Sequence, residues 1–320
     1  MKTARYGKVY GLQGKRVILE KCLLIVNKSC GNFEKFDTES VEAVLGGEYA
    51  VEFADIDDDY RARVEQEGFN AVAILGGDGT LNSVLNKIKG LEIKVFYLPY
   101  GTLNEKSHTL DGVDSSGEIL VGTVGGQVFT YVAACGTFTP IGYTADVERK
   151  KRLKSLAYLL EVLKEYKVHS VHARLSVDGE ILEDNYTLIM VLKSPRCFKF
   201  RFNHLYNSGK STGHILLIKS PGKNNLWNKI RIFFPFFRAF FIGFRREVKH
   251  KNLLFKEFNK VKLHLDAPTD FDVDGEKKTL EGDNTFRVRK LPHDFIVCDT
   301  KKAKRLALRR EKRAIKRIKK

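Results

Sequence analysis

Short apolar runs alternate with amphipathic stretches over the first third of the chain. Cys22 to Val26, Tyr49 to Ala54, Ala71 to Leu75 and Val95 to Leu98 read as strands, with Phe36 to Leu45 and Asp57 to Gln66 as helices between them. Strands that are apolar at nearly every position belong to sheets covered on both faces, so the alternation predicts a parallel, doubly wound α/β sheet. After Gly117 the pattern changes to short strand-like runs at Gln127 to Ala134, Val171 to Val177, Tyr186 to Leu192, His214 to Lys219, Lys260 to Leu265, Thr285 to Val288 and Asp294 to Val297. These predict a second, mainly antiparallel domain, interrupted by helical insertions at Lys150 to Tyr166 and Leu226 to Arg246.

Two turns stand where a buried strand should hand over to a helix. Gly76-Gly77-Asp78-Gly79-Thr80 follows Ala71 to Leu75, and Pro99-Tyr100-Gly101-Thr102-Leu103-Asn104 follows Val95 to Leu98. Open α/β sheets collect ligands at such places. Glycines let the backbone approach a phosphate closely, and the amides of a loop and of the following helix point at its charge. Asp78 cannot itself hold a phosphate, but it can hold Mg²⁺, which bridges phosphate oxygens during phosphoryl transfer. Read as tight turns alone, the same residues would need no ligand, and Asn104 would serve as a helix cap.

Taken together, Asn27 to Gly31, Gly76 to Asn82, Pro99 to Glu105, Lys154 to Tyr158 and Asp272 to Glu276 stand in an order and spacing that resembles the diacylglycerol kinase-like lipid kinases. The resemblance runs from about Leu23 to about Val297 and implies an ATP-binding α/β domain and a β-sandwich domain flanking a catalytic cleft. It divides the chain into an N-terminal extension at 1–20, a nucleotide-binding domain at 21–118, a lipid-binding domain at 119–300 and a basic tail at 301–320. It implies ATP and Mg²⁺ as cofactors, with Asn27, Gly76, Gly77, Gly79, Thr80, Gly101, Thr102 and Asn104 at the nucleotide and Asp78 and Glu105 at the metal. Asp274 or Glu276 would accept the proton of a lipid hydroxyl while Asp78 organises Mg²⁺, although Asp78 is the base in other members. Asp274-Gly275-Glu276 also reads as a plain hairpin turn, and Asp178-Gly179-Glu180 supplies a second copy of it. The chain departs from the family at Lys28 in the first turn, at Glu105, His108, Leu120 and Tyr131, and at Ser211-Thr212-Gly213, where bacterial members carry an Asp-Asp-Gly element for a structural Mg²⁺.

At 320 residues the chain is long for one core and comfortable for two. Five cysteines without Cys-x-x-Cys spacing argue against a disulfide framework or a zinc site and fit a cytoplasmic location. Met1 to Glu20 lacks the apolar stretch of a secretory signal, and no run reaches the length that spans a bilayer. Much of the net charge of +17 lies in residues 301–320, with twelve Lys or Arg and one Glu. Such an arm suits an anionic membrane surface; nucleic acid is disfavoured because no aromatic residue is there to stack on bases.

Trp227 to Arg246 holds seven phenylalanines with interleaved cations. As a helix it places Ile230, Phe233, Phe234, Phe237, Phe241 and Phe244 along one face, which packing would satisfy, while Phe236, Phe240 and Ile242 spill beyond it. The expectation is therefore lipid contact through Phe236, Phe240, Arg245 and Arg246. The reading that results is a peripheral kinase on the inner membrane face, acting on diacylglycerol or a related lipid, with homodimerisation left open. Its rivals are an NAD kinase, which shares the Gly-Gly-Asp-Gly turn, and a silent membrane adaptor that binds nucleotide or lipid.

Overall fold

The computed structural model describes residues 19–45, 47–102, 104–108, 116–137, 168–197, 200–223 and 225–298. Most of the N-terminal extension, the helix expected at 150–166, the Lys154 to Tyr158 segment and the basic tail lie outside the described residues. The chain divides into two compact units. The described residues up to Asn104, together with 116–119 and 292–298, form the first, and those at 105–108 and 120–291 the second.

In the first unit β1 (Glu20–Val26), α1 (Thr38–Leu45), β2 (Tyr49–Asp55), α2 (Tyr60–Gln66), β3 (Ala71–Gly76), α3 (Asp78–Ile88) and β4 (Ile93–Pro99) alternate as the apolar runs predict. The strands β1 to β4 pair in parallel, in the order β2-β1-β3-β4, and residues 293–297 pair in parallel with the other side of β4. The alternation of side chains in a strand sends Cys22, Leu24, Ala73 and Leu75 into a core with Val41 and Leu45 of α1, while Leu23, Ile25, Val72 and Ile74 are buried on the other face. Asp59 begins α2 as an N-cap, its carboxylate accepting from the Ala62 amide.

Apart from an isolated parallel bridge between Asn203 and Phe244, the described strand registers of the second unit are antiparallel. This unit contains the inner part of β5 (Ser116–Val124), then β6 (Gln127–Phe129), β7 (Val132–Gly136), β8 (Val171–Val177), β9 (Glu180–Leu192), the two-residue strands β10 (Arg196–Cys197) and β11 (Phe200–Arg201), β12 (Gly213–Lys219), α4 (Leu226–Phe237), β13 (Val248–His250), β14 (Leu253–Phe258), β15 (Lys260–Val273) and most of β16 (Glu276–Val297). Strands run β13-β14-β12-β9-β7-β15-β16. Central strands are covered on both faces. Ile189, Val191, Ile215 and Leu217 face a core with Leu175, Val261, Phe271 and Phe286, whereas Leu188, Met190, Leu216 and Ile218 face Ile232, Phe236 and Ala239 of the helical segment.

Three sequence expectations are corrected. The single strand expected at Gln127 to Ala134 breaks at Thr130 and Tyr131, whose amides turn aside to the Asp274 carboxylate. Thr285 to Val288 and Asp294 to Val297 are parts of one 22-residue strand, β16. Its last residues pair in parallel with β4, so the chain returns to the first unit instead of staying in a second domain up to residue 300.

Among the polar groups of the second unit, His214 is 2% exposed and stacks on Phe255 at 5.4 Å between ring centroids. Burial pulls its pKa down to about 4 from the ordinary 6.5. The folded protein therefore binds this proton less readily than the unfolded chain. Stability present above pH 6.5 is lost as pH falls through about 4, by about 3 kcal/mol in all. Urea unfolding at pH 7 and pH 4 should show that His214→Phe removes most of its share of this acid sensitivity.

Lys193 ties down the loop at 207–212. It is 1% exposed, and its ammonium donates to the carbonyls of Lys210 at 2.6 Å and Thr212 at 3.2 Å. Burial lowers its pKa to about 8.

Candidate functional site

From β1 the sheet grows one way to β2 and the other way to β3, so the carboxyl ends of β1 and β3 form a topological switch point, where sheets of this kind bind ligands. Three loops leave these ends: residues 27–32 after β1, 76–80 after β3 and 99–104 after β4. They are tied to one another. Asn27 Nδ2 donates to Thr80 Oγ1 at 2.8 Å, the Tyr100 amide donates to the Gly76 carbonyl at 2.8 Å, and Asn32 Nδ2 donates to the Gly101 carbonyl at 2.6 Å.

Two glycines are required by close approach alone. A Cβ on Gly101 would lie 2.3 Å from the Gly77 Cα, and one on Gly76 would lie 2.4 Å from Thr80 Oγ1. The two glycine turns thus touch backbone to backbone, which no larger residue permits. Asn104 sits at a φ of 50°, and its side chain folds back, accepting from the Gly101 amide at 2.8 Å and donating to the carbonyls of Pro99 and Gly101. Asn27 and Asn104 therefore shape the loops, and the main chain is left to meet a ligand. Asn32 does the same work and was missed by sequence reasoning. Its signal was its place one residue beyond the glycine of the first turn.

Helix α3 opens at this point. Its N-cap, Gly77, supplies no side-chain cap, and the amides of a first helical turn have no partner within the helix. Asp78 is the first helical residue and is buried beside them. An anion at the amides and a carboxylate next to it repel unless a cation lies between, so this set of donors fits a phosphate carried with Mg²⁺. Among the described residues no three His, Cys, Asp or Glu gather into a metal site.

Glu105 does not fit the metal-binding role expected of it. It is fully buried in the second unit, with Oε2 2.7 Å from Arg196 Nε. The guanidinium already neutralises it.

Asp274 is likewise committed. The hairpin Asp274-Gly275 has φ values of 54° and 94°, matching the 48° and 97° of Asp178-Gly179. Both aspartates clamp a neighbouring strand. Asp178 accepts from the amides of Asn259 and Lys260 while its own amide donates to Lys260 O. Asp274 accepts from the amides of Thr130, Tyr131 and Val132 and from Thr130 Oγ1, while its own amide donates to Val132 O. Burial raises the Asp274 pKa to about 7, against the lowering effect of these donors. A base near 7 is useful, but the four lone-pair directions of this carboxylate are filled. The assignment of Asp274 as proton acceptor is corrected to a positioning role. Glu276, by contrast, stands exposed at the start of β16, with its pKa raised by surrounding protein that displaces part of its water.

The aromatic helix also turns out differently. Phe236 is 4% exposed, and Phe240 packs on Phe202 and Phe236 at 5.1 and 6.1 Å. Neither presents itself to a lipid. Of the face that packing would satisfy, only Phe244 is buried; Ile230, Phe233, Phe234, Phe237 and Phe241 are exposed. Arg245 and Arg246 are exposed as expected.

A parallel α/β unit with glycine turns and an uncapped helix start at its switch point has the features by which such sheets receive phosphate groups. Residues 21–128 match the family described as the diacylglycerol kinase catalytic domain. The chain is 23% identical over 259 residues to a diacylglycerol kinase of Bacillus subtilis, covering 74% of this chain and 80% of that protein. It is 30% identical over 187 residues to a Pseudomonas aeruginosa protein described as a probable lipid kinase, YegS-like, covering 51% of this chain and 62% of that one. The crystal structure of a diacylglycerol kinase from Bacillus anthracis superposes with a TM-score of 0.60 at 18% identity, over 87% of this chain and 96% of that one, which establishes a shared fold. No described helix is long and apolar enough to cross a membrane.

Proposed function

We propose that the protein transfers the γ-phosphoryl group of ATP, carried with Mg²⁺, to a hydroxyl of diacylglycerol or a related membrane lipid. The observation that carries this reading is the contact of the two glycine turns at Gly77 and Gly101, beside the start of α3 and Asp78. Bound there, Mg²⁺ would neutralise charge on the phosphate oxygens. The amides of the turns and of α3 hold and orient the phosphates, Thr80 and Thr102 add hydroxyls, and Asn27 and Asn104 keep the loops in place. Asp78 would hold the metal. The bond between the γ-phosphorus and its bridging oxygen breaks as the lipid oxygen attacks, and the hydroxyl proton passes to the Asp78 carboxylate.

Radiolabel from γ-labelled ATP should appear in diacylglycerol presented in anionic mixed micelles. Label in NAD instead would replace this reading with the soluble-nucleotide rival, and ATP binding without transfer to any lipid would leave an adaptor.

Gly101→Ala gives a second check. Its Cβ would meet main chain at Gly77, which cannot rotate away. ATP affinity, read by calorimetry, should fall about tenfold or more, since displacing a phosphate cradle by a few tenths of an ångström costs at least about 1.4 kcal/mol.

A further inference from the structure

Nine large hydrophobic side chains are exposed among the described residues, and seven of them fall within sixteen consecutive positions: Trp227, Ile230, Phe233, Phe234, Phe237, Phe241 and Ile242. Helix α4 carries the first five and continues as a π-helical turn over Arg238–Ile242, ending at Gly243 with a φ of 74°. The inner line Ile232, Phe236 and Ala239 is buried against the sheet, which fixes the rotation of the segment and turns its larger apolar face outward. That face is ordered. Phe233 stacks on Phe237 at 5.8 Å between centroids, Phe237 on Phe241 at 5.0 Å, and Phe241 meets Phe200 at 5.6 Å. The rings make a continuous ridge along the helix, with Trp227, 76% exposed, at one end.

Its charges have one sign. Between Lys223 and Arg246 the chain has six Lys or Arg and no Asp or Glu. Arg231, Arg238, Arg245 and Arg246 are exposed. An apolar ridge of this size is rarely left to water, and a flank made only of cations selects what covers it. A second copy seated face to face would bring six cations against six, which opposes a dimer through this surface. An anionic lipid surface offers hydrocarbon to the ridge and negative headgroups to the arginines at once.

We propose that the outer face of α4 and the following π turn docks on an anionic bilayer, with the Trp227 to Ile242 ridge entering the headgroup boundary. This deepens the lipid-kinase reading and rests on it for its purpose: the acceptor is a lipid taken from the bilayer. The docking itself requires neither ATP nor turnover.

Trp227 is the single tryptophan of the chain, so its fluorescence reports this site alone. With the full chain, vesicles of phosphatidylcholine and phosphatidylglycerol should shift its emission to the blue and shield it from acrylamide, and pure phosphatidylcholine vesicles should do so far less. Phe234→Ser with Phe237→Ser keeps the reporter and should lower vesicle partitioning about tenfold or more, since two apolar side chains no longer enter the interface. Circular dichroism of the double variant should match the parent. An unshifted Trp227 with phosphatidylglycerol vesicles overturns the proposal, as does undiminished partitioning of the double variant. A lipid-free blue shift that grows with protein concentration assigns the face to a second copy instead. Short-chain diacylglycerol below its micellar concentration separates the two readings. Its phosphorylation without vesicle binding sinks the docking and keeps the kinase; vesicle binding without phosphorylation of any lipid does the reverse.

Discussion

Asp78→Asn should lower phosphoryl transfer by about a thousandfold, equivalent to about 4 kcal/mol of transition-state stabilisation, and leave the fold in place. The substitution keeps the shape of the side chain at the first position of the 11-residue α3 and removes only its negative charge. If that charge holds the metal, or takes the proton, the loss falls mainly on kcat. If Asp78 serves only the helix, the variant loses a favourable charge near the dipole, worth about 1 kcal/mol at most, and turnover survives. Melting temperature separates the cases: a shift within about 4 °C accompanied by the collapse in kcat assigns the residue to chemistry. Full activity in Asp78→Asn would remove it from the mechanism.

The opposite pattern is expected at Asp274. Asp274→Asn places an amide nitrogen where an oxygen accepts two hydrogen bonds, so two donors lose their acceptor in a site 2% exposed. Each bond to a buried carboxylate contributes about 2 kcal/mol, giving a destabilisation of about 4 kcal/mol and a fall in melting temperature of about 10 °C. Thermal unfolding and kinetics should be measured on the same preparation. Turnover per folded molecule should fall far less than in Asp78→Asn, because Asp274 holds the turn before β7 and the start of β16 and does not receive the proton. A variant that melts like the parent and is inactive would restore Asp274 as the base.

The parts of the structure that were legible in the sequence are those with one physical demand at every position. Cys22 to Val26 and Ala71 to Leu75 are buried on both faces, so composition alone marks them as inner strands of a parallel sheet. Gly77 and Gly101 are glycine because backbone meets backbone, and Gly76 because the Thr80 side chain lies against it, and that too is visible as a motif. What failed needed knowledge of a partner. β16 escaped notice as one strand because its exposed Lys277, Glu281 and Asp283 interrupt any apolar run. Periodicity found an aromatic stripe in α4 but not its orientation, since with apolar residues on both sides the spacing does not say which side the sheet covers. The two Asp-Gly hairpins differ in burial while sharing a backbone, and only the strand beside each reveals that both carboxylates serve as clamps.

The path of β16 has a consequence for synthesis. The first unit begins near residue 20, yet its strand at 293–297 is among the last described residues of the chain. While the ribosome makes everything between, β4 has an open edge, with hydrogen-bonding groups that any extended segment could capture. The first unit is thus the first to be made and the last to be completed. A translation arrest before residue 293 would release a chain whose leading half presents an unclosed sheet.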